Sequence, residues 1–339
     1  MIRILILALL TAGAALAFRE RVLLLPWAGR WTERVRRLPM PVLRSPERTS
    51  LVRHGEHLAV RRPRAVTAER IELGTESPVV ALSEQGPVLY AGTFDDGVFR
   101  IEGGERRALP VDARVNDLAL DLKGALILAT GGGAYEVTAA GAVTRFASGA
   151  FSAVALWQGE TWLASRRGLS VREAGGLWTR GAGQGVPADL PDALASCGSA
   201  LCIGASDGLW LFDGERAVRH SSASGELPAE WVTAVGASGG EIWAGTFDGG
   251  LALLRASGPR LLSAADGLPE GRIAPHALAL IAGTVYAGTP RGLLVIDREG
   301  AALLSEGPLG QGVNSVIPAA RGGVWVGGAG QVRRIEIAP

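Results

Sequence analysis

The sequence predicts an all-β fold, a seven-bladed β-propeller closed by an N-terminal strand, and three observations carry this. The stretch EIWAGTFDGGLALL (Glu241–Leu254) reads as a strand, a Gly-containing turn and a second strand, and the chain writes it seven times. The 48 Gly and 47% hydrophobic residues suit many short strands joined by tight turns, since glycine alone enters positive φ without a steric penalty. The last copy lacks a fourth strand, and Arg70-Ile71-Glu72-Leu73, just before the first copy, can supply it.

In chain order, the first element is apolar. Arg3 precedes a run from Ile4 to Ala17 that ends in Ala15-Leu16-Ala17, a small-x-small cleavage pattern. Residues 1–17 therefore read as a secretory signal peptide, too short for a comfortable membrane span. Arg19 and Arg21 follow directly and oppose translocation, so an uncleaved anchor helped by Val22–Trp27 is the alternative. Residues 18–65 are rich in Arg and broken by Pro39, Pro41, Pro46 and Pro63. This stretch is either a solvated linker or, over residues 19–64, a contact with an anionic membrane surface or partner. Residues 1–65 hold thirteen Arg and four Glu, net +9. The whole chain is +1, so residues 66–339 carry 1 − 9 = −8. That acidic remainder argues against nucleic-acid binding.

The propeller is expected over residues 66–339. Aligning on Gly245 gives Gly92, Gly204, Gly288 and Gly327, with weaker copies at Thr130 and Ala164. A repeat of about 40 residues with four strand segments is the mark of a propeller, in which each small sheet buries its faces only by stacking on neighbours. In the fifth unit the strands are Val232–Ala237, Glu241–Ala244, Leu251–Arg255 and Arg260–Ala264; in the seventh they are Asn314–Ala319, Val324–Val326 and Val332–Ile337. The strand before the first unit completes the seventh sheet and removes exposed edges.

Cys197 and Cys202 flank the turn Gly198-Ser199-Ala200, where a hairpin can meet disulfide geometry; the alternative is two small buried thiols. Other chemistry is sparse. Gly204-Ala205-Ser206-Asp207-Gly208 matches G-x-S-x-G, but the repeat places it on a strand–turn–strand, whereas a nucleophile elbow needs a helix next. His54 and His57 form an isolated H-x-x-H, and no metal or cofactor motif is present. His220 closes a fourth strand, and His276 lies in or beside an inner strand.

ELPAEWVTAVGASGGEIWAGTFDGGLALL (Glu226–Leu254) and Ala265–Ile296, with its Gly267-Leu268-Pro269, resemble the two-component-regulator propeller repeat. Blades 2 and 3 lack its Gly-Thr pair. The resemblance implies a propeller and ligand or partner sensing; it does not imply signalling output, because neither a kinase nor a response-regulator segment accompanies it.

In a propeller the turns between the second and third strands share one face with the connections between blades. That face should carry Phe94, Asp95, Asp96, Arg166, Arg167, Asp207, Phe247, Asp248 and Arg291, joined by Trp231 and Arg272. Such a mixture of aromatic and charged groups suits recognition, although Asp before Gly is also ordinary turn chemistry. The expected function is thus an exported, monomeric, non-enzymatic scaffold or sensor-like module, periplasmic or extracellular. It would bind an envelope protein, an extracellular protein or a glycan, without cofactor. The alternative is a lyase or hydrolase acting on a polysaccharide or small cyclic ester, with an Asp or His276 at the channel mouth.

Overall fold

The structure is a computed structural model that describes residues 58, 64–111, 114–173, 176–180, 186, 191–297, 300–305 and 307–338. The expected signal peptide, nearly all of the Arg-rich linker and the His54/His57 pair lie outside the described residues.

Seven antiparallel four-stranded sheets make seven blades. We letter the strands of each blade a to d from the innermost outward. Blade 1 is Val79–Gln85, Val88–Thr93, Val98–Glu102 and Glu105–Ala108, and blade 5 is Val232–Ser238, Glu241–Thr246, Leu251–Leu254 and Arg260–Leu262. Blade 7 takes Ser315–Pro318, Val324–Gly327 and Gln331–Ala338 from the end of the chain, and Arg64–Glu72 pairs antiparallel with Gln331–Ala338 as its fourth strand. That strand begins inside the expected linker. Leu58, also in that stretch, is buried, and its N–H donates to the Asp266 carbonyl at 2.9 Å. Among the described residues no helix is long and apolar enough to cross a membrane.

Each neighbouring pair of blades shares an apolar seam. Val98 meets Val115 and Leu128 between blades 1 and 2, and Leu253 meets Val285 and Ile296 between blades 5 and 6. Blades 3 and 4 join through Trp157, Trp162 and Phe212, whose ring centroids lie 5.6–5.9 Å apart. The seventh seam unites Trp325 and Val332 with Val79 and Leu89 of blade 1. A sheet buried on both faces reads as continuous apolar residues, and strand b of blade 1, VLYAGT, is buried at every position.

The repeated glycine has a different role from the one its sequence suggests. Gly245 lies inside strand b, paired with Ala234 and Leu251, and the turn comes after it. A Cβ there would stand 2.7 Å from Ile273 Cγ2, on the approach to blade 6. Gly92 meets Val115, Gly204 meets Val232, Gly288 meets Val313 and Gly327 meets Val79 in the same way. The glycine thus leaves room for a β-branched side chain from the next blade. In blade 2 that place belongs to Ala129, which pairs with Asp117; Thr130 pairs with Val115 as Thr246 pairs with Val232. The alignment on Thr130 was one residue out.

The residue after the glycine closes the b–c turn. The hydroxyls of Thr93, Thr130, Ser165, Thr246 and Thr289 donate to the carbonyls of Gly97, Gly133, Gly168, Gly250 and Gly292 at 2.8–3.2 Å. Blades 2 and 3 keep this hydroxyl while replacing the glycine by Ala, so their departure from the repeat is half as deep as the sequence indicates.

Gly245→Ala should lower unfolding stability by about 1–3 kcal/mol through overpacking against Ile273. Ile273→Ala, which removes both Cγ atoms from that contact, should cost less in the Gly245→Ala background than in the parent, read as a non-additive cycle in urea unfolding.

Candidate functional site

Because strands alternate in direction, the b–c turns and the connections between blades lie at the same end of every sheet. Backbone bonds confirm this: Phe94 N–H donates to the Pro78 carbonyl, and Phe247 N–H to that of Trp231, both at 2.9 Å.

The expected site residues divide into three sets. One is a continuous stack. Trp231 lies flat on Phe247 with centroids 4.5 Å apart and planes 17° apart, and the Arg272 guanidinium caps Phe247 at 4.3 Å. Trp231 remains 42% exposed although one of its faces is covered. Its indole N–H donates to Asp192 Oδ2 at 2.7 Å, and Arg166 acts electrostatically on that same carboxyl. Stacking and cation–π contacts at exposed sites contribute about 0.5–1.5 kcal/mol each, too little for the fold to depend on them.

The second set is separate. Phe94 carries the Arg114 guanidinium at 4.1 Å, and Arg114 reaches Asp95 at 3.6 Å, across the boundary of blades 1 and 2. The remaining side chains are held locally. Asp96 accepts from the Thr75 hydroxyl; Asp207 accepts from Trp210 Nε1 at 2.9 Å and faces Arg219 at 3.7 Å; Arg291 faces Glu270 at 3.7 Å. The Arg167 backbone N–H donates to Ser165 Oγ, and Asp248 sits exposed on the b–c turn of blade 5. Ser206 is on a b–c turn followed by strand c, Gly208–Phe212, which removes the helix a nucleophile elbow needs.

Two residues that sequence reasoning missed lie beside the first set. The ladder between strands a and b skips one residue at the start of strand a: Val80, Asn116, Asp192 and Thr233 in blades 1, 2, 4 and 5. A bulge of this kind re-aims a side chain. Asn116 donates to the Phe151 carbonyl of blade 3 at 2.7 Å, Thr233 to the Ile273 carbonyl at 2.8 Å, and Asp192 turns to Trp231. Next to Asn116, Asp117 accepts the N–H groups of Leu118 at 2.8 Å and of Val154, in blade 3, at 2.9 Å. His276, on the entry to blade 6, brings Nδ1 to 3.6 Å from Asp117 Oδ2. That approach joins blades 2 and 6, which are not neighbours, over the central channel. His276 is in the turn before strand a of blade 6, Leu278–Ile281, outside the strand itself.

Burial pushes the carboxyls of Asp117 and Asp192 above the usual carboxylate range. His276 and the two backbone N–H groups oppose this at Asp117; the Trp231 bond, His276 and Arg166 oppose it at Asp192. His220 does close strand d of blade 4, and its Nδ1 lies 2.8 Å from Glu226 Oε1, away from this mouth. Among the described residues no group of three or more His, Cys, Asp or Glu is placed to hold a metal ion. Cys197 and Cys202 are disulfide-bonded with Cα atoms 5.8 Å apart; Cys202 pairs with Ala195 and Cys197 with Ala200, so they are diagonal neighbours in the hairpin.

No family model matches the chain, and no curated protein matches its sequence. Solved structures do. A streptogramin B lyase superposes with a TM-score of 0.64 at 13% identity, over 80% of this chain and 97% of that one. The extracellular domain of a hybrid two-component system from B. thetaiotaomicron gives 0.65 at 16% identity over 80% of this chain, which spans 39% of that larger domain. The WD40 repeats of RRP9 give 0.63 at 15% identity, over 82% and 100%. The chain is a seven-bladed β-propeller. At these identities the likeness shows the fold alone, and the neighbours include both WD40 propellers and extracellular domains of hybrid two-component systems.

A carboxyl whose folded pKa is raised contributes stability that is present below its unfolded pKa of about 3.9 and is lost as pH rises through the folded value. Asp192→Asn keeps an acceptor for Trp231 but removes this loss. Its melting temperature relative to the parent should rise between about pH 4 and pH 7, as followed by thermal melts across that range.

Proposed function

We propose that the protein is an exported, non-enzymatic propeller that captures a partner protein or an extracellular glycan on the face of the b–c turns. The observation that carries this is the Trp231–Phe247–Arg272 stack, exposed beside Asp192 and Arg166 on a rigid closed scaffold. Large exposed aromatics and arginines at a concave centre are the residues that dominate recognition surfaces. Fold alone does not bring a function, so the weight rests on these side chains.

Two observations favour an extracytoplasmic location: the Cys197–Cys202 disulfide, of a kind that persists in oxidising compartments, and the apolar leader at residues 4–17. The likeness to extracellular two-component domains agrees with it. One copy of the chain supplies all seven sheets, which supports a monomer. The +9 stretch of residues 1–65 would then add contact with an anionic membrane surface.

Replacing Trp231, Arg166 and Arg167 together by Ala should abolish capture of the partner from envelope extracts or glycan arrays. The far-ultraviolet circular dichroism and melting temperature should stay close to those of the parent. Undiminished capture would remove this face from the reading.

A further inference from the structure

The groups around Trp231 define what enters the channel mouth. Phe247 covers one face of the indole, and Trp231 stays 42% exposed, an area on which a ligand can rest. Asp192 accepts the indole N–H, His276 and Arg166 act on Asp192 electrostatically, and His276 approaches Asp117.

His276 holds its place against the preference of its backbone. Pro275 and His276 are the central residues of a turn closed by the Ala277 N–H on the Ala274 carbonyl at 3.2 Å, and His276 has φ +57°. Proline first and positive φ second describe a type II turn, whose second central position favours Gly. A Cβ disfavours the left-handed region by crowding the following carbonyl oxygen. The other described non-glycine residues at positive φ, Gln158 and Ala282, each sit with Gly159 or Gly283 in two-residue a–b hairpin turns that call for this geometry. What the fold gains at residue 276 is a backbone N–H on the Thr233 carbonyl at 3.1 Å, which glycine would keep. The imidazole itself is not needed to satisfy Asp117, whose two oxygens already accept Leu118 and Val154, and at 3.6 Å it is beyond hydrogen-bond distance. A strained residue whose side chain approaches Asp117 without hydrogen-bonding it points to a role in binding.

The charges decide the ligand class. Two carboxylates would hold a cation, but Arg166 and the imidazole stand among them; the arginine and imidazole would hold an anion, but the carboxylates oppose it. What suits donors and acceptors of both signs beside a flat aromatic face is a neutral ring bearing hydroxyls. Its C–H face covers the indole, and its O–H groups donate to carboxylate and accept from N–H.

We propose that the channel mouth is a subsite for one neutral sugar residue, stacked on the exposed area of Trp231, with its hydroxyls held by Asp192 and His276. This rests on the reading that the b–c face is the binding face, and it names the glycan end of that reading.

The test uses the full chain with glucose, galactose, mannose and N-acetylglucosamine at millimolar concentration. Glucuronate and glucosamine serve as charged controls. Binding is read by saturation-transfer NMR and tryptophan fluorescence, for the parent, His276→Gly, Trp231→Ala and, as a distant control, Trp178→Ala. At least one neutral sugar should bind. Its Kd should rise tenfold or more in His276→Gly and Trp231→Ala and stay unchanged in Trp178→Ala. The melting temperature of His276→Gly should stay within a few degrees of that of the parent, because glycine suits the turn and offsets the lost approach to Asp117. Binding of only the charged sugars, or of none, overturns the proposal. Equal affinity in His276→Gly, or a melting temperature several degrees lower, shows the imidazole to be structural and overturns it as well. Loss of all sugar binding with Trp231-dependent protein capture intact would leave the broader binding reading standing, and so separates the two failures.

Discussion

The seams between blades depend on one close approach, where a strand-b glycine, or Ala129 and Ala164 in blades 2 and 3, meets the start of the next blade. Gly245 under Ile273 and Gly288 under Val313 show it most fully. There the incoming residue also donates its N–H to the carbonyl of the residue after the glycine, Thr246 or Thr289, at 2.9–3.0 Å. Phe151 does the same to Thr130 in blade 2. The contact therefore sets distance and register together. Bulged residues at the start of strand a add side-chain bridges from Asn116 and Thr233 to the next blade, and Ser152 spans to the Pro191 carbonyl at 2.5 Å. A site built at this end of the sheets inherits that rigidity.

Much of the architecture was legible in the sequence because a repeat reports itself many times over. The blade boundaries follow from seven copies, and the outer face of turns follows from strand order alone. The physical role of the glycine was less legible. A turn and a close approach both select Gly, and only the structure shows that Gly245 is inside a strand while Gly250, at φ +110°, makes the turn. The misplacement of Thr130 has the same origin: Ala129 tolerates the approach, so the position lost its marker.

The site was legible only in part. Trp231, Phe247 and Arg272 stand out because turns do not require them, and they do come together. Asp117 and Asp192 do not stand out, since each looks like one polar residue in an inner strand. Their meaning comes from partners 37 and 39 residues away, Val154 and Trp231, and from His276 beyond them. Asp96, Asp207 and Arg291 were marked by position on the face, but their side chains bind neighbours within or beside their own turns.

The pairing of Arg64–Glu72 with Gln331–Ala338 has a temporal consequence. On a growing chain the earlier strand emerges with its partner still unmade, and the ring cannot close until about 260 further residues have followed. Closing a loop of that length costs only slowly growing entropy, so the penalty falls on rate more than on final stability. Until then blade 1 lacks the neighbour that covers Val79 and Leu89, and an apolar sheet face stays open to other chains. Folding of this protein is thus a race between completing its last sheet and sticking to something else, which makes late delivery of the final strand the step at which a holding partner would matter most.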